Sequence, residues 1–503
     1  MDVQPFQQPG CAMVMTHGNP PADQNRTADS LHGGTDPRRA AMLYRAAWRW
    51  HFYAGIVAIP FFMALTITGL LILWIGYIDG RDGEYRRVVP AGVPLAVSAQ
   101  AEAALAAVPD GRLVQYVAPR APDLAAIFRV DDASGAQMVV VDPYRGAVLE
   151  RFPRRSGWYD WADDMHGSLK LGVTGDRMIE IAASLGMVLL ATGLYLWWPR
   201  QGGVLRAFVP RLDGRGRALW KSLHVSIGVW ISVILMFFLI SGLSWAGIWG
   251  ERLVQAWSSF PPGKYGDIPL SDQTHASMNH GPKEVPWALE QTPMPASDPH
   301  AGHGGHGDHG GHADAGARPG IAGPVDIDSV DAYARRIGFD ARYQMNLPQD
   351  AAGVWTLTRD TMSADSTDPT SDRVVHIDRY SGDMLADVRF QDYSLMGKAM
   401  AVGIALHMGL LGLWSVLANT LFCLSVMFLC ISGVVMWWKR RPAGRSGLVP
   451  PPMPADMPLW KGAMAVGLVI SLAFPMAGIT LAVVMLLDVL ILSRVPALKR
   501  AFG

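Results

Sequence analysis

Residues 50–77 read WHFYAGIVAIPFFMALTITGLLILWIGY. A bilayer core takes about 20 apolar residues in a helix, and this run exceeds that length without an Asp, Glu, Lys or Arg. It sets the fold class, because a helix apolar on every side belongs in lipid. It also carries three small polar marks: His51, Gly55 and Thr68-Gly69.

The same marks return at 218–249, ALWKSLHVSIGVWISVILMFFLISGLSWAGIW, as His224, Gly228 and Ser241-Gly242. The step from histidine to second glycine is 18 in both runs. Two further spans are expected at 178–198 (MIEIAASLGMVLLATGLYLWW) and 413–438 (LWSVLANTLFCLSVMFLCISGVVMWW). They close alike, on GLYLWWPR and GVVMWWKR, with His166 31 residues before Trp197 and His407 30 before Trp437. Shorter apolar runs at 460–475 and 477–493 read as a closing hairpin.

The segments between the spans repeat as well. MVVVDPYRGAVLERF (138–152) and RVVHIDRYSGDMLADVRF (373–390) each read as strand, tight turn, strand. Helical stretches precede them at 98–108 and 330–338. The fold class is therefore a polytopic α-helical membrane protein. Its four-helix core is two parallel repeats, with a C-terminal hairpin and two small α+β domains. The second half alone carries an insertion near 258–322.

Composition agrees. Of 503 residues, 50% are hydrophobic and 17% charged, with 43 basic and 43 acidic side chains. The balance gives no electrostatic reason to expect a nucleic-acid partner. Tryptophans at the ends of the apolar runs suit a membrane interface. Cys11, Cys423 and Cys430 form no Cys-x-x-Cys, so a disulfide framework, a thiolate zinc site and c-type haem attachment are not expected. The polar first 40 residues read as a disordered cytoplasmic tail before an uncleaved anchor.

Basic clusters orient the chain. They fall before the first span (Arg38, Arg39, Arg45, Arg49), between the second and third (Arg200 to Lys221), after the fourth (Lys439, Arg440, Arg441, Arg445) and at the end (Arg494, Lys499, Arg500). All lie on one side if there are six spans with both termini inside. The expected divisions are a tail (1–44), the first span (45–78) and an α+β domain (79–165). An outer loop helix with the second span (166–200), a cytoplasmic loop (201–217), the third span (218–250) and the extracytoplasmic insertion (251–322) follow. The second α+β domain (323–394), a loop helix with the fourth span (395–440), a linker (441–458), the hairpin (459–494) and a tail (495–503) complete the chain. The expected location is the bacterial inner membrane, with the α+β domains in the periplasm.

Ionisable residues in spans are costly and mark function. His51 and His224 follow Arg49 and Lys221 and sit near the inner face. At 1.5 Å per residue, a helix from His166 to Arg200 would cover roughly 50 Å, beyond the roughly 30 Å of hydrocarbon. His166 therefore belongs at the outer face, on a short helix broken at Gly172 and Gly175; His407 is placed likewise, with a break near Gly412. Two histidines face each other at each side. Zinc wants more protein ligands than two, whereas a macrocycle that supplies four nitrogens wants two axial imidazoles. Bis-histidine b-type haem fits that count, and two haems at different depths would carry electrons across the bilayer. Asp163 and Asp164 are candidate hydrogen-bond partners of His166, and Asp176 a candidate N-cap.

The set HFYAG…TITGLLILW, DDMHGSLKLG, TGLYLWWPR, HVSIGVW…SGLSWAGIWG and ALHMGLLGLW…WWKRRP resembles the PepSY-associated transmembrane proteins, among them the iron-uptake-linked ferric-siderophore reductases. The resemblance covers about residues 45 to 440. It implies PepSY domains outside the membrane, haem on His51, His166, His224 and His407, and reduction of an Fe(III) chelate by electrons from an unidentified cytoplasmic or quinol donor.

One stretch stands apart from the repeat. HAGHGGHGDHGGH (300–312) places His300, His303, His306, His309 and His312 among glycines. Imidazole suits Fe, Cu or Zn, but the glycines preclude a preorganised cage, and His275 and His280 are candidate additions to it. Met165 and Met408 flank the outer histidines and are read as packing. His376 is read as structural. Competing functions are a metal-ion transporter with the tract as capture site, and a non-enzymatic protein whose outer domains bind a partner. Few acidic residues in the spans, Glu180 and Asp488 being candidates, disfavour a cation path.

Overall fold

A computed structural model describes residues 37–200, 203–279, 285–298, 320–442, 448–451 and 460–487, with 490 and 494. Among these described residues four helices are long and apolar enough to cross a membrane: α1 (Pro37–Ile78), α4 (Val173–Trp197), α5 (Arg217–Leu243) and α9 (Leu413–Arg440). Between α1 and α4 come α2 (Val97–Ala107), strands β1 (Arg112–Val117), β2 (Ala126–Asp132), β3 (Gly135–Val141) and β4 (Val148–Pro153), and α3 (Trp158–Ser168). Between α5 and α9 come α6 (Gln255–Ser258), β5 (Leu270–Thr274), β6 (Pro293–Pro295) and α7 (Ile327–Arg336). Next are β7 (Gln344–Asn346), β8 (Trp355–Arg359), β9 (Arg373–Ile377), β10 (Met384–Arg389) and α8 (Leu395–Met408).

The long helices form a ring in which α1 packs on α4 and α9, and α5 on the same two. Gly186 sits at one crossing: a Cβ there would lie 2.8 Å from the tip of the Phe62 ring and 2.9 Å from a Leu239 methyl, so α4 packs closely on α1 and α5 at this point. The short helices α3 and α8 end in matched breaks. Leu169, Lys170 and Gly172 take positive φ after α3; Gly409 and Gly412 do so after α8. Each break lets a histidine-bearing helix sit beside the spans rather than extend one.

The strands of the two halves join one antiparallel sheet in the order β10-β9-β8-β7-β1-β2-β3-β4. Two separate small domains were expected. Instead β1 and β7, each an edge strand of its own half, pair with each other through Gln115–Asn346, Tyr116–Met345 and Val117–Gln344. Pairing satisfies both edges, which would otherwise expose unpaired backbone groups. Helices α2 and α7 cover one face over a shared core that includes Tyr116, Phe128, Tyr333 and Tyr343. Residues 260–279 and 285–289 of the insertion cover part of the other, with Phe260, Tyr265 and Leu289 on Val374, Ala386 and Val388.

Two short helices close the described chain, α10 (Lys461–Ala473) and α11 (Pro475–Leu487). Each has 13 residues and so reaches roughly 20 Å, less than a bilayer core of about 30 Å. Phe474 between them stacks on Trp249 at 5.5 Å, whose indole N–H donates to the Ala473 carbonyl.

Candidate functional site

His51 from α1 meets His224 from α5 with ring centres 6.5 Å apart and planes at 84°. His166 from α3 meets His407 from α8 at 6.4 Å and 81°. The second pair lies toward the sheet, the first toward the opposite end of the bundle. Each pair takes one histidine from each half of the chain.

All four rings are fixed from behind in the same manner. Nδ1 of His51 lies 2.9 Å from Thr192 Oγ1, Nδ1 of His166 3.0 Å from Thr68 Oγ1, Nδ1 of His224 2.7 Å from Ser432 Oγ, and Nδ1 of His407 2.8 Å from Ser241 Oγ. Each hydroxyl already donates its one proton to a carbonyl of its own helix: those of Val188, Ala64, Leu429 and Phe237. It can then only accept from the imidazole. Nδ1 therefore carries the proton, and Nε2 keeps a lone pair for a ligand.

A glycine follows each hydroxyl residue; at Gly69 and Gly193 a side chain would crowd the ring, and at Gly242 and Gly433 a Cβ would only touch it. A Cβ at Gly69 would lie 3.3 Å from His166 Cε1, at Gly193 3.3 Å from His51 Cε1, at Gly242 3.5 Å from His407 Cε1, and at Gly433 4.0 Å from His224 Cε1. Four Ser/Thr-Gly pairs, one per long helix, thus seat four histidines. Reading the sequence found Thr68-Gly69 and Ser241-Gly242 but missed Thr192-Gly193 and Ser432-Gly433, although both lie in the quoted repeat.

Two imidazoles that hold one ion from opposite sides stand with ring centres roughly 6.3 Å apart, taking a metal–nitrogen bond of about 2.0 Å. Both pairs match that spacing. Around His166 and His407 lies an open cavity of about 270 Å³. Its walls are largely apolar (Phe62, Leu65, Leu235, Phe238, Phe422), with Arg81, Asp163, Asp176 and Glu180 also in the lining.

Several expectations are corrected. The partner of His166 is Thr68, not an aspartate; Asp164 instead pairs with Arg155 and with Lys170 at 3.2 Å. Asp176 does not cap α4, whose N-cap is Gly172; its carboxylate binds Arg177 at 2.7 Å. Gly175 lies inside α4 rather than at the break. Met408, by contrast, packs as expected, on a cluster of Trp287, Met362, Met400 and Ile404, and also lines the cavity beside His407. Glu180 is buried in α4, where Arg177 and the Trp249 N–H hold it. The tract histidines His300, His303, His306, His309 and His312, together with His280 and Asp488, lie outside the described residues. Among the described residues no group of three His, Cys, Asp or Glu converges on a metal position.

Comparison with curated proteins finds no match to the chain. The family model described as the PepSY-associated TM region matches residues 48–440, a stretch that runs from the start of the His51 span to the end of α9 and holds all four paired histidines. The chain is a membrane protein of the PepSY-associated transmembrane family.

Proposed function

We propose that the chain is a transmembrane dihaem electron carrier that reduces a ferric chelate at its sheet side. The observation that supports this reading most is the pair of matched histidine couples. Ring spacings of 6.5 and 6.4 Å suit axial ligation of a b-type haem iron, and all four Nδ1 atoms are occupied so that Nε2 is the donor. His51 and His224 would hold one haem, His166 and His407 the other. Haem supplies one-electron transfer.

The chain's own residues do the rest. Thr68, Thr192, Ser241 and Ser432 fix the rings and raise their basicity by accepting Nδ1–H. The apolar walls of the sheet-side cavity limit water around the pair, and its few charged groups are Arg81 with Asp163, Asp176 and Glu180. Lys and Arg clusters favour an inner-membrane protein with the sheet outside, in the periplasm of a Gram-negative cell. The electron donor, cytoplasmic or a quinol, would act at the His51–His224 end. One electron per ferric ion yields Fe(II), which hard oxygen chelators hold less tightly.

Oxidised and dithionite-reduced absorption spectra of the purified chain test the proposal, together with haem counted as the pyridine complex. Two haems per chain are expected, falling to one in each of His51→Ala, His166→Ala, His224→Ala and His407→Ala. A colourless protein from haem-replete cells sinks the reading.

A further inference from the structure

Beyond the four seated histidines, a second imidazole cluster lies where the insertion docks on the sheet. His275 begins the short turn after β5 and is fully buried; His376, fully buried, sits on β9. Their Nε2 atoms are 3.0 Å apart, and the Tyr265 hydroxyl lies 3.3 Å from the same Nε2 of His275. From this geometry we infer that Tyr265, His275 and His376 form a binding site for one divalent ion of the copper and zinc class.

Three features carry the inference. First, His275 Nδ1 lies 2.7 Å from the Thr292 carbonyl, which can only accept. Nδ1 therefore holds the proton, and Nε2 has one lone pair. Two neighbours compete for it, the His376 ring and the Tyr265 hydroxyl, and only one can donate into it. An ion between them uses all three donors at once. Second, donors about 2.0 Å from one ion, at angles between a right angle and the tetrahedral one, are roughly 2.8–3.3 Å apart; 3.0 and 3.3 Å fall in that range. Third, His376 Nδ1 is also held, 3.0 Å from Thr356 Oγ1. Orientation of a ligating imidazole through its other nitrogen is the usual outer arrangement of metal sites.

A small cleft lies one step along the strands from these donors. It is lined by Met278, Gln344, Thr358 and Val374. Thr358 pairs with Val374 one same-face step along the strands from the Thr356–His376 pair. Two nitrogens and a phenol suit Cu(II) and Zn(II), with copper the tighter by the general order of divalent affinities. The ion would clamp the insertion to the second half of the sheet.

The test uses the full chain, haem-loaded and stripped of loose metal, in a background where His300, His303, His306, His309 and His312 are serine. Zn(II) alone is titrated against a chromophoric chelator. One equivalent should bind and disappear in His275→Gln and in His376→Gln, while Tyr265→Phe weakens it about tenfold. The haem spectrum, unchanged throughout, reports folding and separates this result from the electron-transfer reading. Unaltered zinc content in His376→Gln overturns the site. If the histidine variants fail to fold, Cu(II) paramagnetic resonance on the tract-free protein decides: coupling to two imidazole nitrogens supports the site, and its absence overturns it.

Discussion

The hydroxyl of Thr192 stands 2.9 Å from Nδ1 of His51 while donating its own proton to the Val188 carbonyl at 2.6 Å. A side chain on one span thereby sets which nitrogen on another is protonated. The same relation recurs at Thr68, Ser241 and Ser432, so it is a property of the architecture rather than of one contact.

An acceptor at Nδ1–H enriches the ring with electrons and stabilises oxidised iron. Thr192→Val keeps the shape and removes the acceptor. A hydrogen bond of about 1 kcal/mol corresponds to a potential change on the order of 40 mV for one electron. Redox titration followed in the visible spectrum should show the His51–His224 haem rise by that amount while the other stays fixed. No change in Thr192→Val would show that the hydroxyl has no electronic role.

The imidazole planes of each pair are nearly perpendicular, 84° and 81°. If each pair holds the proposed haem iron, crossed planes would spread ligand donation over both of its π orbitals and leave them almost degenerate. Oxidised protein should therefore give strongly anisotropic low-spin ferric signals at low temperature, with one very large g value. A rhombic spectrum of the parallel-plane type would contradict the observed ring orientations.

Glycine at 69 leaves space that a side chain would take, since a Cβ alone would come 3.3 Å from His166 Cε1. Gly69→Val should displace that ring and abolish the haem on His166 and His407, so the pyridine assay halves. Gly55→Ala serves as control, because its Cβ would meet Leu189 at an ordinary 3.8 Å. Full haem content in Gly69→Val would mean the ring has more freedom than its packing indicates.

Arg342 is buried between two carboxylates, 3.1 Å from Glu84 and 2.8 Å from Asp365. Arg342→Met takes this cation from Asp365, while Glu84 keeps Arg120 at 3.3 Å, and should cost about 3–5 kcal/mol, seen as a lower melting temperature in detergent. Adding Glu84→Gln should restore part of the loss, because the partners are coupled. Additive losses would refute a shared network.

Asp372 is pushed up to about 7, chiefly by burial and further by Asp365 and Asp368, against hydrogen bonds from Thr361. The folded value lies above the unfolded one. The folded state therefore prefers the protonated acid, and stability falls as pH rises from about 4 to about 7. Asp372→Asn, which still accepts from the Thr361 N–H, should melt higher than the unaltered chain at pH 8 and equal it near pH 4. A melting gap that does not depend on pH would rule out this titration.

What could be read in the sequence divides by range. The spans around Trp50–Tyr77 and Leu413–Trp438 follow from local composition, and the four histidines from a repeat visible along the chain. Ser432 and Thr192 escaped because a hydroxyl four residues from a carbonyl is unremarkable until another helix lays an imidazole on it. The β1–β7 joint escaped for a related reason: Tyr116 and Met345 are 229 positions apart, and strand periodicity says nothing about which edges meet. The contact between His275 and His376 is equally non-local, so His376 was legible only as a strand residue.

That joint bears on what can cross the membrane. Gln115 donates to Gln344 and Asn346 at 2.9 and 3.0 Å across it, and Ser98 reaches Asp328 from the opposite half at 2.9 Å. A rocking carrier admits solute by swinging its halves apart, which here would tear a continuous strand ladder. A stitched pair of halves suits cargo that needs no doorway, and an electron is such a cargo.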